Sequence, residues 1–312
     1  MGESDPRVLA RAVLVNVART SKVHRRLDAA LRVVSVLTQH ADGAGAAAAV
    51  CTSLQLERAS PGGAPALIGA RLTVHSLHLL AATAQAGALR VLHAVAAAGP
   101  VPPAGRPPEG CDAAAKSVFL GPDARLTDAQ AQSMVAELQA DLQTLNLTAA
   151  DTAFFWSLLA AIVYLGVVRF TSNQEGHTVV ASPQALAHVG RLLSVPVAEL
   201  TTVLTRQTIP GTDSEFIERS VPQAEAVRNE LAQTLYGQLV AWLVQHANST
   251  LAAPDADHAA VHVVCLPAVT RHGLGNAGAL HANLLTELVS WLMMPITPTN
   301  QEDKEKEEEE EK

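Results

Sequence analysis

The sequence predicts a predominantly helical α/β protein with a few short strands. The first observation is the stretch 148–170, in which no residue between Asp151 and Arg169 is charged and apolar residues recur at helical spacing. A helix that is apolar on almost every face must be surrounded by protein or by lipid. The second observation is the alternation of apolar and polar residues after Val50, which is the period of a half-buried strand. The third is a short apolar run at 260–266, which is typical of a central strand in a sheet.

The N-terminal part of the chain is predicted to contain helices around one hairpin. Helical spacing predicts helices over Pro6–Ala18, Lys22–Leu37 and Gln85–Ala98, and alternation predicts antiparallel strands near 50–56 and 67–79. Two glycines before Ala46–Ala49 indicate a flexible loop there. The Pro/Gly-rich segment 99–110 can form neither helix nor strand, so we expect an internal loop.

The second half is predicted to be richer in helices. Thr127-x-x-Gln130 and Thr148-x-x-Asp151 have the pattern of capping boxes, and Ser182-Pro183, Val195-Pro196 and Ser220-Val-Pro-Gln223 indicate further helix starts. The expected buried face of the helix after Thr148 is Phe154, Leu158, Ala161, Ile162, Leu165 and Val168. The expected buried face of the longest helix, to about Ser249, is Leu231, Leu235, Leu239, Trp242 and Leu243. A short hairpin is expected across 173–176 and a last amphipathic helix over 280–293.

The uncharged run can be interpreted in two ways. It has 17 residues, whereas crossing a bilayer takes about 20. We therefore predict a buried core helix and no direct membrane insertion. The alternative is a membrane-inserted helical protein that uses Ala153–Val168.

Charge and cysteine content restrict the class of protein. Of the net charge of −8, the acidic tail 300–312 contributes −5, because its eight acidic residues outnumber three lysines, and we expect this tail to be disordered. The segment 1–37 is basic, with seven Arg/Lys against three acidic residues; we interpret it as a solvated face, with an anion or partner surface as the alternative. No aromatic residue lies among these cations, so binding of single-stranded nucleic acid has no support. Three widely spaced cysteines argue against a disulfide framework.

Several segments, in order, resemble a myosin motor domain. The run LLAAIVYLGVVRF is similar to the motor's LAAILHLGNxxF, and LAQTLYGQLVAWLVQHANSTL (231–251) is similar to LAKxLYxxLFxWLVxxIN. Lys22–Leu37 and Leu67–Leu80 resemble a helix and a strand of the same family. The resemblance implies that 1–299 is a truncated, motor-like fragment of a P-loop NTPase-like fold, which lacks the lower half, converter and lever that would follow in a motor. Actin filaments are the partner that it implies.

Within this family, fungal chitin synthases with an N-terminal motor-like domain are the closest resemblance. Their segments LxxTLYSLLFAWLNEHIN and FDLPGPQN look like 234–248 and 264–270. Divergent unconventional myosins with impaired ATPase activity are the second choice. The resemblance to chitin synthases implies a cytoplasmic module, at the cytoplasmic face of vesicles or of the plasma membrane, that links the synthase to actin.

The resemblance also places three nucleotide-binding elements on residues that lack their chemistry. Gly2, Glu3 and Ser4 match the start of the phosphate loop GESGAGKT, but Pro6 follows and no second Gly or Lys-Ser/Thr is present. Ala48 and Ala49 fall on the switch that carries Asn, Ser and Arg in the family. Cys265 and Ala268 fall on the Asp and Gly of D-x-x-G. Methyl groups cannot coordinate magnesium or neutralise a phosphate.

We therefore expect no catalytic residue, no metal ligand, and loss of the ancestral binding of ATP and magnesium. The alternative is a residual motor ATPase that binds nucleotide through Arg7, Arg11 and a helix N-terminus. The pairs His75/His78 and His258/His262 have ligand-like spacing, but no carboxylate or cysteine completes either set, so we interpret them as surface histidines.

Overall fold

Seven helices and seven strands make up the part of the chain that the computed structural model describes, residues 22–39, 48–57, 67–76, 89–97, 117–120, 126–209, 216–253 and 258–265. These ranges lie within one compact unit, Met1–Ala268. The helices are α1 (Lys22–Thr38), α2 (Arg90–Ala97), α3 (Asp128–Thr144), α4 (Ala149–Leu165), α5 (Pro183–Leu193), α6 (Val197–Thr205) and α7 (Val221–Leu251). The strands are β1 (Ala48–Glu57), β2 (Leu67–Ser76), β3 (Phe170–Ser172), β4 (Thr178–Val180), β5 (Arg206–Thr208), β6 (Phe216–Glu218) and β7 (His258–Cys265). The predictions for 6–18, 99–110, 280–293 and 300–312 lie outside the described residues.

Helix α4 is the centre of the core, as predicted. Its capping box is present, with Asp151 N–H donating to Thr148 Oγ1 and Thr148 N–H donating to the Asp151 carboxylate, at 3.1 and 3.2 Å. It packs against α2, α5 and α7, and Trp156 is 1% exposed. None of the helices in the described ranges combines the length and the apolar character that crossing a membrane requires.

The predicted buried face of α4 is wrong at one residue, Phe154. Phe154 is 52% exposed, whereas its neighbour Phe155 is fully buried. The ring of Phe154 meets Trp242 edge-on, with ring centroids 5.6 Å apart. Since both neighbours are phenylalanines in an apolar run, periodicity cannot choose between them.

The main sheet of the described residues has three antiparallel strands in the order β2-β1-β7. The predicted hairpin of β1 and β2 is confirmed. Among the described strands, β7 pairs with β1 alone and lies at one edge, so the prediction that the 260–266 strand is central is wrong for these three strands. The loop predicted over Ala46–Ala49 also differs. Ala48 and Ala49 already belong to β1, where they pair with Ser76 and His75 of β2.

Helix α7 joins the sheet to the helices, and its buried face differs from the prediction. Leu239 and Leu243 are buried, but Leu231, Leu235 and Trp242 are only half-buried. The face that is buried instead consists of Ala224, Arg228, Ala232, Tyr236, Leu239, Val240, Leu243, Val244, Ala247 and Leu251. The prediction followed the leucines, and it therefore missed a face that contains an arginine and a tyrosine.

Candidate functional site

The predicted switch positions meet at one end of the three-stranded sheet. Strand β1 begins at Ala48, and the antiparallel strand β7 ends at Cys265, which lies opposite Val50. Opposite residues of antiparallel strands have Cα atoms about 5 Å apart. Ala48, Ala49 and Cys265 are therefore neighbours in space although more than 200 positions separate them in the sequence. Gly2, Glu3, Ser4 and Ala268 lie outside the described residues.

The described residues at this sheet end offer little chemistry for a nucleotide. The methyl side chains of Ala48 and Ala49 can neither donate a hydrogen bond nor bind a metal. The nearby Cys51 is buried, and burial raises the pKa of its thiol, which favours the neutral form over a thiolate ligand. Among the described residues, no three His, Cys, Asp or Glu side chains are grouped closely enough to hold a metal ion.

A different surface is formed by the hairpin of β5 and β6 between α6 and α7. Arg206, Gln207 and Thr208 pair with Glu218, Ile217 and Phe216, and all six residues are exposed. Phe216 is 46% exposed and Ile217 is 58% exposed. Because successive side chains of a strand point to opposite faces, the hairpin presents an apolar residue on both faces. Val203 of α6, which precedes the hairpin, is 54% exposed. We use the name hairpin patch for Val203, Phe216 and Ile217, although Phe216 and Ile217 lie on opposite faces of the hairpin.

The root of this hairpin is held by hydrogen bonds. Arg219 N–H donates to the Thr205 carbonyl at 2.9 Å, and Arg219 Nε donates to the Arg206 carbonyl at 3.2 Å. The Glu218 carboxylate pairs with the His177 ring from the turn between β3 and β4. These contacts fix the position of the hairpin that carries the exposed apolar residues. Exposed apolar groups of this kind mark protein contact sites when they form a patch.

Three polar side chains of α7, which sequence reasoning did not single out, each bind the backbone of a different element. Arg228 Nη1 donates to the Val168 carbonyl after α4 at 2.7 Å. The Tyr236 hydroxyl donates to the Leu37 carbonyl of α1 at 2.5 Å. The Asn248 amide donates to the Leu72 carbonyl of β2 at 2.8 Å and accepts from Leu72 N–H at 2.7 Å. The only available signal was the presence of polar residues on an otherwise apolar face. These bonds position α7, and through it the hairpin, on the core.

Burial lowers the pKa of Arg228 and raises the pKa of the Tyr236 phenol, because the charged form of either side chain is poorly solvated in the core. Tyr236 is therefore a neutral hydrogen-bond donor at any physiological pH. Each side chain bonds to a backbone carbonyl of another element, so the role of both is to fasten elements together.

Comparison with known proteins shows a similarity over one part of the chain. Residues 120–265 match the model of the myosin head, the motor domain, which is a little under half of the 312 residues. The chain is 31% identical over 124 residues to Myosin-1 of Sclerotinia sclerotiorum, which covers 38% of this chain and 10% of the relative. It is 30% identical over 117 residues to unconventional myosin-Ic of Aquarana catesbeiana, covering 37% of this chain and 11% of the relative. Myosin-1 of Arabidopsis thaliana is 29% identical over 113 residues, covering 36% of this chain and 10% of the relative.

The chain thus spans about a tenth of the length of the curated relatives it matches. The matched range begins before α3 and ends with β7, so it includes the core helix α4, the β5–β6 hairpin and α7. Over these elements the chain is similar to part of a myosin motor domain.

Proposed function

We propose that this chain is a catalytically inactive, myosin motor-like module that acts through protein contacts and binds actin filaments. The observation that carries the proposal is the hairpin patch, Val203, Phe216 and Ile217, which lies inside the range similar to a myosin motor domain. Exposed apolar side chains on both faces of a hydrogen-bonded hairpin suit a protein partner that covers the hairpin, because contiguous exposed apolar surface marks contact sites.

The proposal of inactivity depends on the residues at the sheet end. Hydrolysis of ATP requires groups that hold magnesium and neutralise the charge of the transferred phosphoryl group. Ala48 and Ala49 contain no such group, and Cys265 stands where the resemblance expects an aspartate.

In the finer form of the proposal, the module is cytoplasmic and connects a chitin synthase or its vesicles to actin.

Cosedimentation with actin filaments tests the main proposal. We expect the protein to pellet with filaments in a saturable manner, and the double substitution Phe216→Ser with Ile217→Ser to weaken binding at least about tenfold, because a few central apolar residues carry most of an interface's affinity. The matched control is Val118→Ser, which removes an apolar residue that is 41% exposed at a distant position in the sequence. Pelleting no greater than in the absence of actin, or equal binding by the double variant, would contradict the proposal.

A separate titration tests inactivity. Addition of a fluorescent ATP analogue with magnesium is expected to give no saturable signal at micromolar concentration. Saturable, magnesium-dependent binding would instead favour the residual motor ATPase. For the finer proposal, the endogenous protein should copurify with the catalytic region of a chitin synthase, and its absence from such a preparation would count against that link.

A further inference from the structure

A groove of about 640 Å³ runs between the outer edge of β2 and the side of α7. The Asn248 carboxamide crosses it and holds both backbone groups of Leu72, which are the groups that another strand would use at this edge. Asn248 therefore prevents a strand from pairing at Leu72 and at the same time fixes the two walls of the groove. The volume is within the range of small-molecule sites, about 300–1,000 Å³. A small molecule suits this groove better than a peptide strand.

Part of the wall formed by α7 is apolar and leaves space, beside the polar Gln245 and Asn248. It includes Gly237, Ala241 and Val244, which follow one another at helical spacing. A Cβ atom added at Gly237 would meet no atom within 4 Å. Glycine inside a helix costs about 0.5–1 kcal/mol relative to alanine, so Gly237 widens the groove at the expense of stability.

The polar side of the groove contains one cation among neutral polar residues. Arg71 is exposed and is the one charged residue among the described residues that line the groove. No described carboxylate lies within ion-pair distance of Arg71. In the register of the sheet, Arg71 lies opposite Ser53, and Ser53 lies opposite His262. Residues directly opposite each other have Cβ atoms about 5 Å apart on the same face, so a guanidinium, a hydroxyl and an imidazole form one row.

We propose that this groove binds a small anionic amphiphile, with its apolar body along Gly237, Ala241 and Val244 and its carboxylate or phosphate on Arg71. The guanidinium presents several N–H donors in a fixed fork, which matches the oxygens of either anion. Arg71 carries the head group by itself, because Ser53 and His262 lie on the next two strands and do not line the groove. This ligand site is independent of the proposed contact with actin, because the two surfaces are formed by different residues.

Isothermal titration calorimetry of the full chain tests the site, with dodecyl phosphate as the probe at concentrations below its micelle threshold. We expect saturable binding at one site per chain. Dodecanoate in place of dodecyl phosphate distinguishes a carboxylate from a phosphate head group, and either result supports an anionic amphiphile. Dodecyltrimethylammonium, which has the same tail and the opposite charge, is expected to bind at least tenfold more weakly, as is inorganic phosphate without a tail.

Two variants examine the two halves of the site. Arg71→Gln is expected to weaken binding about tenfold, since it removes charge-assisted hydrogen bonds at an exposed position. Gly237→Leu is expected to abolish binding by filling the groove, while its thermal unfolding shows that the chain remains folded. Arg25→Gln, which removes an exposed arginine of α1, is the matched control and should bind as the unchanged protein does. Absence of saturable binding, unchanged affinity in both test variants, or equal affinity for the cationic amphiphile would overturn the proposal.

Discussion

The Tyr236 hydroxyl offers a direct test of how α7 is fastened to the core. Tyr236 is fully buried, and its hydroxyl donates to the Leu37 carbonyl at 2.5 Å. Leu37 belongs to the last turn of α1, where a carbonyl has no partner within its own helix. The substitution Tyr236→Phe keeps the ring and removes only this donor. The Leu37 carbonyl is then buried without a hydrogen bond.

An unsatisfied buried carbonyl costs about 1–3 kcal/mol, and we expect Tyr236→Phe to lower the free energy of unfolding by about 2 kcal/mol. Urea unfolding followed by circular dichroism at 222 nm measures this change, and the slope of the transition should stay constant because the same surface is exposed. Ser133→Ala removes an exposed hydroxyl that donates to Glu137 and should change the free energy by less than about 0.5 kcal/mol. If Tyr236→Phe also changes it by less than 0.5 kcal/mol, the hydroxyl does not carry the packing of α7 on α1.

Three further predictions concern helix composition and pH. Gly237→Ala should raise the free energy of unfolding by about 0.5–1 kcal/mol, because the added methyl group enters open space, whereas Gly166→Ala should lower it, because the methyl group would lie 2.1 Å from the Ser117 hydroxyl oxygen. Urea titrations that rank the two variants in the opposite order would contradict this. Thr148→Ala removes the cap of α4 and should cost about 1 kcal/mol in the same assay, and no loss would mean that tertiary packing alone fixes the start of the helix. Burial lowers the pKa of His93, and burial followed by Arg191 lowers the pKa of His188. As the pH falls through about 6.5, the unfolded chain therefore binds more protons than the folded chain does. The free energy of unfolding is highest above that pH and decreases below it. Urea unfolding at pH 7.5 and 5.5 checks the decrease, which should be smaller in His93→Leu.

Local signals in the sequence predicted the positions where elements begin. The capping boxes at Thr127 and Thr148 form as expected, and Ser220 N–H donates to Gln223 Oε1 at 2.8 Å before α7. Pro183 is the first residue of α5. Such signals are reliable because a cap involves groups only three residues apart. The alternation in β1 is local in the same sense.

The features that could not be predicted depend on distant neighbours. Phe154 and Phe155 are equivalent by hydrophobicity, and the way α4 packs against other helices decides which ring is exposed. The buried Tyr236 hydroxyl has its hydrogen-bond acceptor, the Leu37 carbonyl, in the last turn of α1. The sequence of α7 alone cannot reveal that distant acceptor. The candidate sheet end was found through a family resemblance, since Ala48 and Ala49 carry no chemical pattern that could be recognised without it.

The hairpin patch precedes the start of α7, whereas the groove lies beside the second half of this helix, and the two should behave independently. Ser220 joins the hairpin to the start of the helix, whereas Gly237 lies 17 residues further on, about 26 Å along the axis at 1.5 Å per residue. Effects of changes at sites more than about 10 Å apart without shared partners are additive. Phe216→Ser with Ile217→Ser should therefore leave the affinity for dodecyl phosphate unchanged, and Gly237→Leu should leave cosedimentation with actin unchanged. If each variant weakens both interactions, α7 transmits a change between the two surfaces, and thermal unfolding of the same variants separates that coupling from a general loss of fold.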